Sequence, residues 1–597
     1  MRAFTQFIQG LFNENQAQYP DGGQAAIRDL RRKAMDLFLQ KELPDKHLQG
    51  WQQSVLNKKV KTDYIQKLQP DPYRPLAEYF QCRVQDLHPT VLPVSNGWYI
   101  SEKQEVTVDE QGVITGSLFA AIRQYPDLVL PLLAHANLEK ENGLVALNEA
   151  LFNENQAQYP DGGQAAIRDL RRKAMDLFLQ KELPDKHLQG WQQSVLNKKV
   201  KTDYIQKLQP DPYRPLAEYF QCRVQDLHPT VLPVSNGWYI SEKQEVTVDE
   251  QGVITGSLFA AIRQYPDLVL PLLAHANLEK ENGLVALNEA LFNDGAFIYI
   301  PDNVKVEKPM QIVSLMNTTD PLLVNNRHLI VMGKNTELSV IQCDDSIQKE
   351  SSFSNIVSEI YLGENAHLHY YKTENKDAAS MLLNHVFVHQ QSYSTFTSTA
   401  ITFNAGYICN TFHVNLNEPM AEAKLYGLYL VDKEQVCDNH IFINHAAPDC
   451  KSYQLYKGIM DDEASANFHG HILVAQDSQR TAAFQTNKNL LLTDKAHVTT
   501  KPFLEIYADD VQCSHGATVG QLDEEALYYL RTRGIGEAAA NRLLMFAFAN
   551  EIVQNVTIEA LRDRLSNMVQ HRLHGELNVC AQCMLNNNIV FPITMEE

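Results

Sequence analysis

The sequence predicts a mainly β chain flanked by helical ends, and three observations carry that prediction. Between Gly295 and about Gly520 short apolar strands recur, about 17 of them in about 225 residues, with no helical period between them. Ahead of them lies a mixed, mostly helical stretch that occurs twice, letter for letter. Behind them, from about Leu522, the apolar spacing lengthens to the period of helices.

The repeat comes first in the chain. Leu11–Asn153 returns as Leu151–Asn293, an offset of 140 residues. Solenoid repeats have periods of about 20–50 residues and tolerate variation, so an identical copy of this length is a different phenomenon. Both copies begin with Leu-Phe-Asn, and the second ends with that triplet before Asp294, so a single joining event explains the sequence. That favours a recent accident, or an error in assembling the gene, over a functional device. One copy removed from 597 residues leaves 457. Within each copy, Ala25–Leu39 (Ala165–Leu179) sets Ile27, Leu30, Ala34, Leu37 and Phe38 at helical spacing between arginines and lysines. Pro44, Pro70, Pro72 and Pro75 punctuate the stretch after this helix. Val91–Ile100 and Val106–Ile114 then read as two short strands, and Leu118–Ala134 as a return towards helix. The expected division is a tail at 1–10, a first copy at 11–150, a second at 151–294, a β core at 295–520 and a helical domain at 521–597. Only the second copy runs directly into the core.

The core strands are separated by turns such as Gly-Lys-Asn-Thr-Glu and Gly-Glu-Asn-Ala. The absence of intervening helices excludes a doubly wound fold. A sandwich, a barrel and a parallel β-helix all satisfy the pattern alone.

Composition narrows the function. With 52 basic and 72 acidic side chains the net charge is −20, which opposes nucleic acid and anionic membrane as partners. Nine cysteines are too few for a disulfide framework and point to thiols in a reducing compartment. The N-terminus lacks the apolar core of a secretory signal, and the apolar run from Phe119 is broken by Arg123, Pro126 and Asp127, so the cytoplasm is expected. No phosphate-binding G-x-x-x-x-G-K-[ST] occurs. Gly534-Ile535-Gly536-Glu537-Ala538-Ala539 imitates a dinucleotide fingerprint, but it joins two helices and follows no strand.

The chemistry concentrates where strands hand over to helices. Leu504–Tyr507 and Val511–Ser514 read as strands about a turn at Ala508-Asp509-Asp510, so Cys513 and His515 share one face two residues apart. A thiolate and an imidazole together suit iron, zinc or copper, although a buried structural cysteine beside a histidine is the commoner outcome. The histidine pairs His367/His369, His469/His471 and the looser His440/His445 also lie on strands, without a demonstrable third ligand. Cys580 and Cys583 form a lone CxxC near the end. In the tail, Asp523 is an N-cap with Glu524 and Glu525 in the first turn, closed by Arg531, Arg533 and Gly534. A second helix comes next at about Glu537–Val553, and a third, capped by Thr557, sets Ile558, Leu561, Leu565 and Met568 on one face. Their apolar faces must pack on each other, on the β core or on a partner.

Pro502–Gly534, Ser452–Pro502 and Ala286–Ile312 together resemble the SufD subunit of the SUF iron–sulfur cluster assembly machinery, over most of Ala286–Val553. The resemblance selects the parallel β-helix. It implies a non-enzymatic scaffold that pairs with SufB through the last coils, where a transient iron–sulfur cluster is built at His515, a possible metal ligand, and Cys513. It further implies docking of the ATPase SufC on the tail through Leu522, Leu527, Tyr528, Leu530, Leu543, Leu544, Phe546 and Phe548, with ATP used only through SufC. A homodimer through the β-helix is expected when the chain is alone. SufB-type chains carry cysteine where this one has Thr486 and glutamate where it has Gly516, so the SufD type fits better. The alternatives are a SufB-like scaffold, a histidine-based metal-binding protein and, remotely, a β-helix polysaccharide lyase or hydrolase, for which the only adjacent acids in the late β region are Asp461-Asp462-Glu463 and Asp509-Asp510, both in expected turns.

Overall fold

The computed structural model describes residues 158–181, 204–215, 227–273, 283–347 and 351–574, with interruptions at 243–244 and 319. In the first copy it describes 114–126, short strands at 94–108 and a few single residues, and it describes a few more between 129 and 227. The chain divides into two units, Met1–Ala150 and Leu151–Glu597.

In the first unit β1 (Val94–Ser95) pairs with β2 (Trp98–Tyr99), and β3 (Val106–Val108) with β4 (Ile114–Gly116), both antiparallel, before α1 (Leu118–Gln124). The second unit builds the same pieces from the same letters. Thr107 and Thr115 are 2.9 Å apart at their hydroxyls, and their counterparts Thr247 and Thr255 are 3.0 Å apart. Each helix of this type is capped by its serine, Ser117 or Ser257.

The second unit starts with α2 (Ala165–Lys181), α3 (Leu196–Lys199) and β5 (Ile205–Gln206). The strand expected at each copy's Val91–Ile100 is in fact a hairpin, β6 (Thr230–Ser235) and β7 (Trp238–Tyr239) in the second copy. Its turn is Asn236-Gly237, both at positive φ (49° and 91°), the two-residue geometry that suits the twist of paired strands. The expected strand at Val106–Ile114 is likewise two strands in both copies, here β8 (Val246–Val248) and β9 (Ile254–Ser257). Then come α4 (Leu258–Gln264), α5 (Pro266–Val269) and α6 (Gly283–Leu291).

From Ala296 the chain winds into a parallel β-helix of about seven coils. One wall consists of β10 (Ala296–Ile300), β12 (Leu322–Met332), β14 (Phe353–Leu362), β16 (Met381–Gln390), β18 (Tyr407–Leu416), β20 (Val436–His445), β22 (Ser465–Val474) and β24 (His497–Ile506). The facing wall consists of β11 (Met310–Met316), β13 (Glu337–Ser346), β15 (His367–Asn375), β17 (Thr395–Asn404), β19 (Glu422–Val431), β21 (Lys451–Met460), β23 (Thr481–Leu491) and β25 (Val511–Gly520). A coil takes as few as 26 residues, from Met381 to its neighbour Tyr407, and as many as 32, from Ser465 to His497. Two pairs of expected strands fuse. Ala-Ala-Phe-Gln-Thr and the first three residues of Asn-Leu-Leu-Leu-Thr are both in β23, where the inward Asn487 between them donates to Tyr429 and so needs no solvent. The strands on either side of Pro502 are one, β24, whose outer edge demands no donor from the proline.

Similar side chains stack from coil to coil. Ile330, Ile360, Val388, Val414, Ile443 and Ile472 form one inward column of parallel neighbours, all essentially inaccessible. At one corner Asn303, Asn335 and Asn365 all adopt positive φ, and the side-chain amides of Asn335 and Asn365 each donate to the asparagine one coil below, at 2.8 and 3.0 Å. Helices seal the two outer faces. On one, α6 packs on β12 and β14, and α2 packs on α6. On the other lie α8 (Glu537–Val553) and α9 (Glu559–Leu573), preceded by the exposed α7 (Glu524–Thr532). β9 closes the N-terminal end by pairing antiparallel with β10.

Candidate functional site

The C-terminal end of the β-helix has no such closure among the described residues: β24 and β25 are the last strand of each wall. β25 lies parallel to β23, with Cys513 opposite Ala483, His515 opposite Gln485 and Gly516 opposite Thr486. Ala483, Gln485 and Asn487 are buried, which marks their row as inward. By register Cys513 and His515 belong to the inward row of the final coil, on one face as their spacing predicts. The row that is core in every earlier coil is left accessible here.

The two side chains differ in environment. Cys513 is half-buried against Ile472, Val474, Ala483 and Ala508, and burial pushes its thiol above the ordinary range despite a backbone hydrogen bond from Ala483. Without a metal or a cation beside it, the sulfur is a thiol at neutral pH. His515 is exposed, one coil beyond the paired amides of Gln485 and Gln454, which are 2.9 Å apart. Its imidazole is free to meet a ligand. A Cβ placed on Gly516 would touch nothing within 4 Å, so the adjacent outward position is open as well. Among the described residues no three histidine, cysteine or acidic groups converge as a metal site, so any metal at His515 needs donors from elsewhere.

The tail begins at once beyond β25. Asp523 caps α7 as expected, its Oδ1 accepting from the amides of Glu525 (2.9 Å) and Ala526 (3.1 Å), and Gly534 ends it at φ 86°. Thr557 does not cap α9. Its hydroxyl meets Tyr371 at 2.6 Å and ties the tail to the β-helix instead.

The expected docking residues divide. Tyr528 (72% exposed) and Leu543 (49%) face solvent, while Leu527, Leu530 and Leu544 are half-buried. Leu522, Phe546 and Phe548 lean on the core formed by the tail and the β-helix wall. Lys457 reaches out from β21 to the Phe548 carbonyl at 2.8 Å, with its ammonium over the phenyl ring. Sequence reasoning missed Met545 and Ala549, which bury the same helix on the wall. It also missed a buried ionic chain inside the coils. There Lys372 donates to Asp344 at 2.7 Å, and Glu374 accepts from Thr402, Asn410 and Asn384 at 2.6–2.9 Å. Strand alternation at 342, 344, 372 and 374 is the signal that was available. Of the histidine pairs, His440 and His445 part, the first outward and the second inward on Ser452. Cys580 and Cys583 lie outside the described residues.

Comparison with known proteins places this geometry. The family description "SUF system FeS cluster assembly, SufBD core domain" matches residues 314–548, and "SufBD protein N-terminal region" matches twice, at 1–152 and 149–312. The chain belongs to the SufBD family. An iron–sulfur cluster assembly SufBD family protein of Synechocystis is 29% identical over 452 residues, which cover 74% of this chain and 99% of the relative. The iron–sulfur cluster assembly protein SufD of Escherichia coli is 32% identical over 296 residues, 48% of this chain and 69% of the relative. SufD of Bacillus subtilis is 28% identical over 345 residues, 56% and 77%. Nearly the whole Synechocystis SufBD protein is spanned by an alignment about as long as the 457 residues left after removing one copy. The double match to the N-terminal region marks both copies as SufBD sequence. No helix among the described residues is long and apolar enough to cross a membrane.

Proposed function

We propose that this SufBD chain is a SufD-type, non-enzymatic scaffold subunit of SUF iron–sulfur cluster assembly, working in the cytoplasm. It pairs with a SufB-like subunit through the open end of the β-helix and binds a SufC-like ATPase through the tail. The observation that carries this reading is the final coil: Cys513 and His515 sit in an inward row that nothing covers, on strands whose outer edges are unpaired among the described residues. A partner ending in a similar coil would satisfy those edges and bury that row. Alone, two such chains would meet through the same end as a homodimer. A nascent cluster is the cargo of that junction, with His515 and, once deprotonated, Cys513 offering nitrogen and sulfur to iron. Other ligands come from the partner.

The SufD type is favoured over SufB by Thr486 and Gly516. They are direct cross-strand neighbours, and neither offers a thiolate or a carboxylate at that outward site. For SufC, exposed Tyr528 and Leu543 are the anchors, and Leu527, Leu530 and Leu544 support them. ATP acts only in SufC, whose closure moves the tail against the wall.

Co-purification with SufB-like and SufC-like proteins tests the reading, comparing wild type with His515→Ala. Both chains form the complex, and the variant carries little iron and sulfide. A wild-type chain that binds neither partner overturns the proposal, and equal cluster content in the variant removes His515 from the chemistry.

A further inference from the structure

The inward row that ends in His515 is polar for the two coils beneath it. Gln454, Gln485 and His515 are direct parallel neighbours on β21, β23 and β25. Both glutamines are essentially inaccessible, and Gln485 Nε2 donates to Gln454 Oε1 at 2.9 Å. Gln485 Oε1 is buried with no hydrogen-bond partner. The amide is held from the side as well: it lies against Gly470 on the facing wall, where a Cβ would overlap it. Other buried polar atoms of the β-helix lack a partner too, and what distinguishes this one is what stands over it. In the final coil Pro502 lies opposite Gly470 and His515 opposite Gln485, each about 4.8 Å further along the stack. A proline has no N–H to give, whereas an imidazole has one. With its Nε2 turned back to Gln454, the planar amide presents Oε1 to the coil that holds His515.

We propose that Gln485 is a positioning residue for His515. Its Oε1 accepts the N–H of one imidazole nitrogen once the ring turns into the inward row, and the lone pair of the other nitrogen is then left for iron. The inference rests on the reading of His515 as a ligand of the nascent cluster. In the free chain His515 is exposed and the bond is not made, so it forms when a partner covers the open end. Two gains favour closure there. The buried acceptor, which costs about 1–3 kcal/mol when unpaired, is satisfied. The neutral ring is confined to one tautomer and one orientation before metal arrives, because the bond made at one nitrogen decides which nitrogen carries the proton. Gly470 makes room for the amide, and Pro502 walls the row above it without competing for Oε1.

The test is reconstitution of the full chain with SufB-like and SufC-like proteins, scoring complex yield, iron and sulfide for wild type, Gln485→Leu, Gln485→Glu and the double variant Gln454→Leu/Gln485→Leu. Gln485→Leu is expected to assemble as wild type does and to hold about tenfold less iron and sulfide. Gln485→Glu, which keeps an acceptor, restores most of it. The double variant leaves neither amide unpaired, so its thermal midpoint stays near wild type and its tenfold loss cannot come from misfolding. A second readout does not depend on the cluster: solid-state ¹⁵N spectra of the metal-free complex, with [¹⁵N]histidine in this chain alone and the His515→Ala spectrum subtracted. Wild type shows one neutral tautomer, and Gln485→Leu shows both. Wild-type cluster content in the double variant, or an unchanged tautomer pattern in Gln485→Leu, overturns the proposal. If His515→Ala keeps its cluster, what falls is the ligand reading, and this inference falls with it.

Discussion

Lys372 and His328 illustrate how single buried groups govern this β-helix. Lys372 is 1% exposed, between Asp344 and Glu374, deep inside the coils. Replacing it with methionine removes the ammonium that pairs with Asp344 and leaves the buried carboxylate with only the Gln342 amide as direct donor, so the expected loss is about 3–5 kcal/mol in chemical denaturation. Replacing Lys372, Asp344 and Glu374 together with apolar residues of similar size is expected to recover most of it. His328 accepts from the Ala296 amide through Nδ1 at 2.9 Å, and burial holds its pKa down at about 4. The folded value lies below the unfolded 6.5, so its contribution is complete above pH 6.5 and is lost as the pH falls towards 4. Over that window His328→Gln is expected to flatten the stability curve by up to about 1.4 kcal/mol per pH unit, measured by urea unfolding at a series of pH values. The pairing of Cys513 and His515 on one face was legible from their spacing. That the face is the inward one was not, because spacing fixes alternation and only the neighbouring strand fixes which side is core.

At the scale of elements, the tail helices separate stability from recognition. α7 has no buried residue, and its start is held by Asp523. Asp523→Ala is expected to weaken that helix by about 1 kcal/mol, read as faster amide exchange over 524–532 with no change in global unfolding. Met545→Ala on α8, whose side chain is 8% exposed against the wall, is expected to cost about 2–5 kcal/mol. Tyr528→Asp and Leu543→Asp are expected to keep the thermal midpoint and to abolish SufC binding. The helices and the Asp523 cap were readable from period and capping residues. The hairpins were not read, although Asn236-Gly237 is a strong turn signal, because a run of apolar letters on both sides of a two-residue turn resembles one strand.

For the molecule as a whole, the duplication makes a direct prediction. The second copy supplies the strand that closes the N-terminal end of the β-helix, through β9 on β10. Deleting residues 11–150 is therefore expected to leave a folded 457-residue chain whose main unfolding transition shifts by less than about 2 °C in calorimetry. A large loss of stability would mean that the first copy carries part of the β-helix's own cohesion.

The sequence by itself determined the run of short core strands, the duplicated segment, the tail helices with the Asp523 cap and the shared face of Cys513 and His515, because these depend on local period and residue chemistry. A sandwich, a barrel and a β-helix share that period. Only the tertiary structure decided that neighbours lie 26–32 residues apart in parallel register, which is what aligns Thr486 with Gly516 and brings Glu505 to His471. Those contacts are set by the length of each coil, a sum over turns and strands that no local window contains.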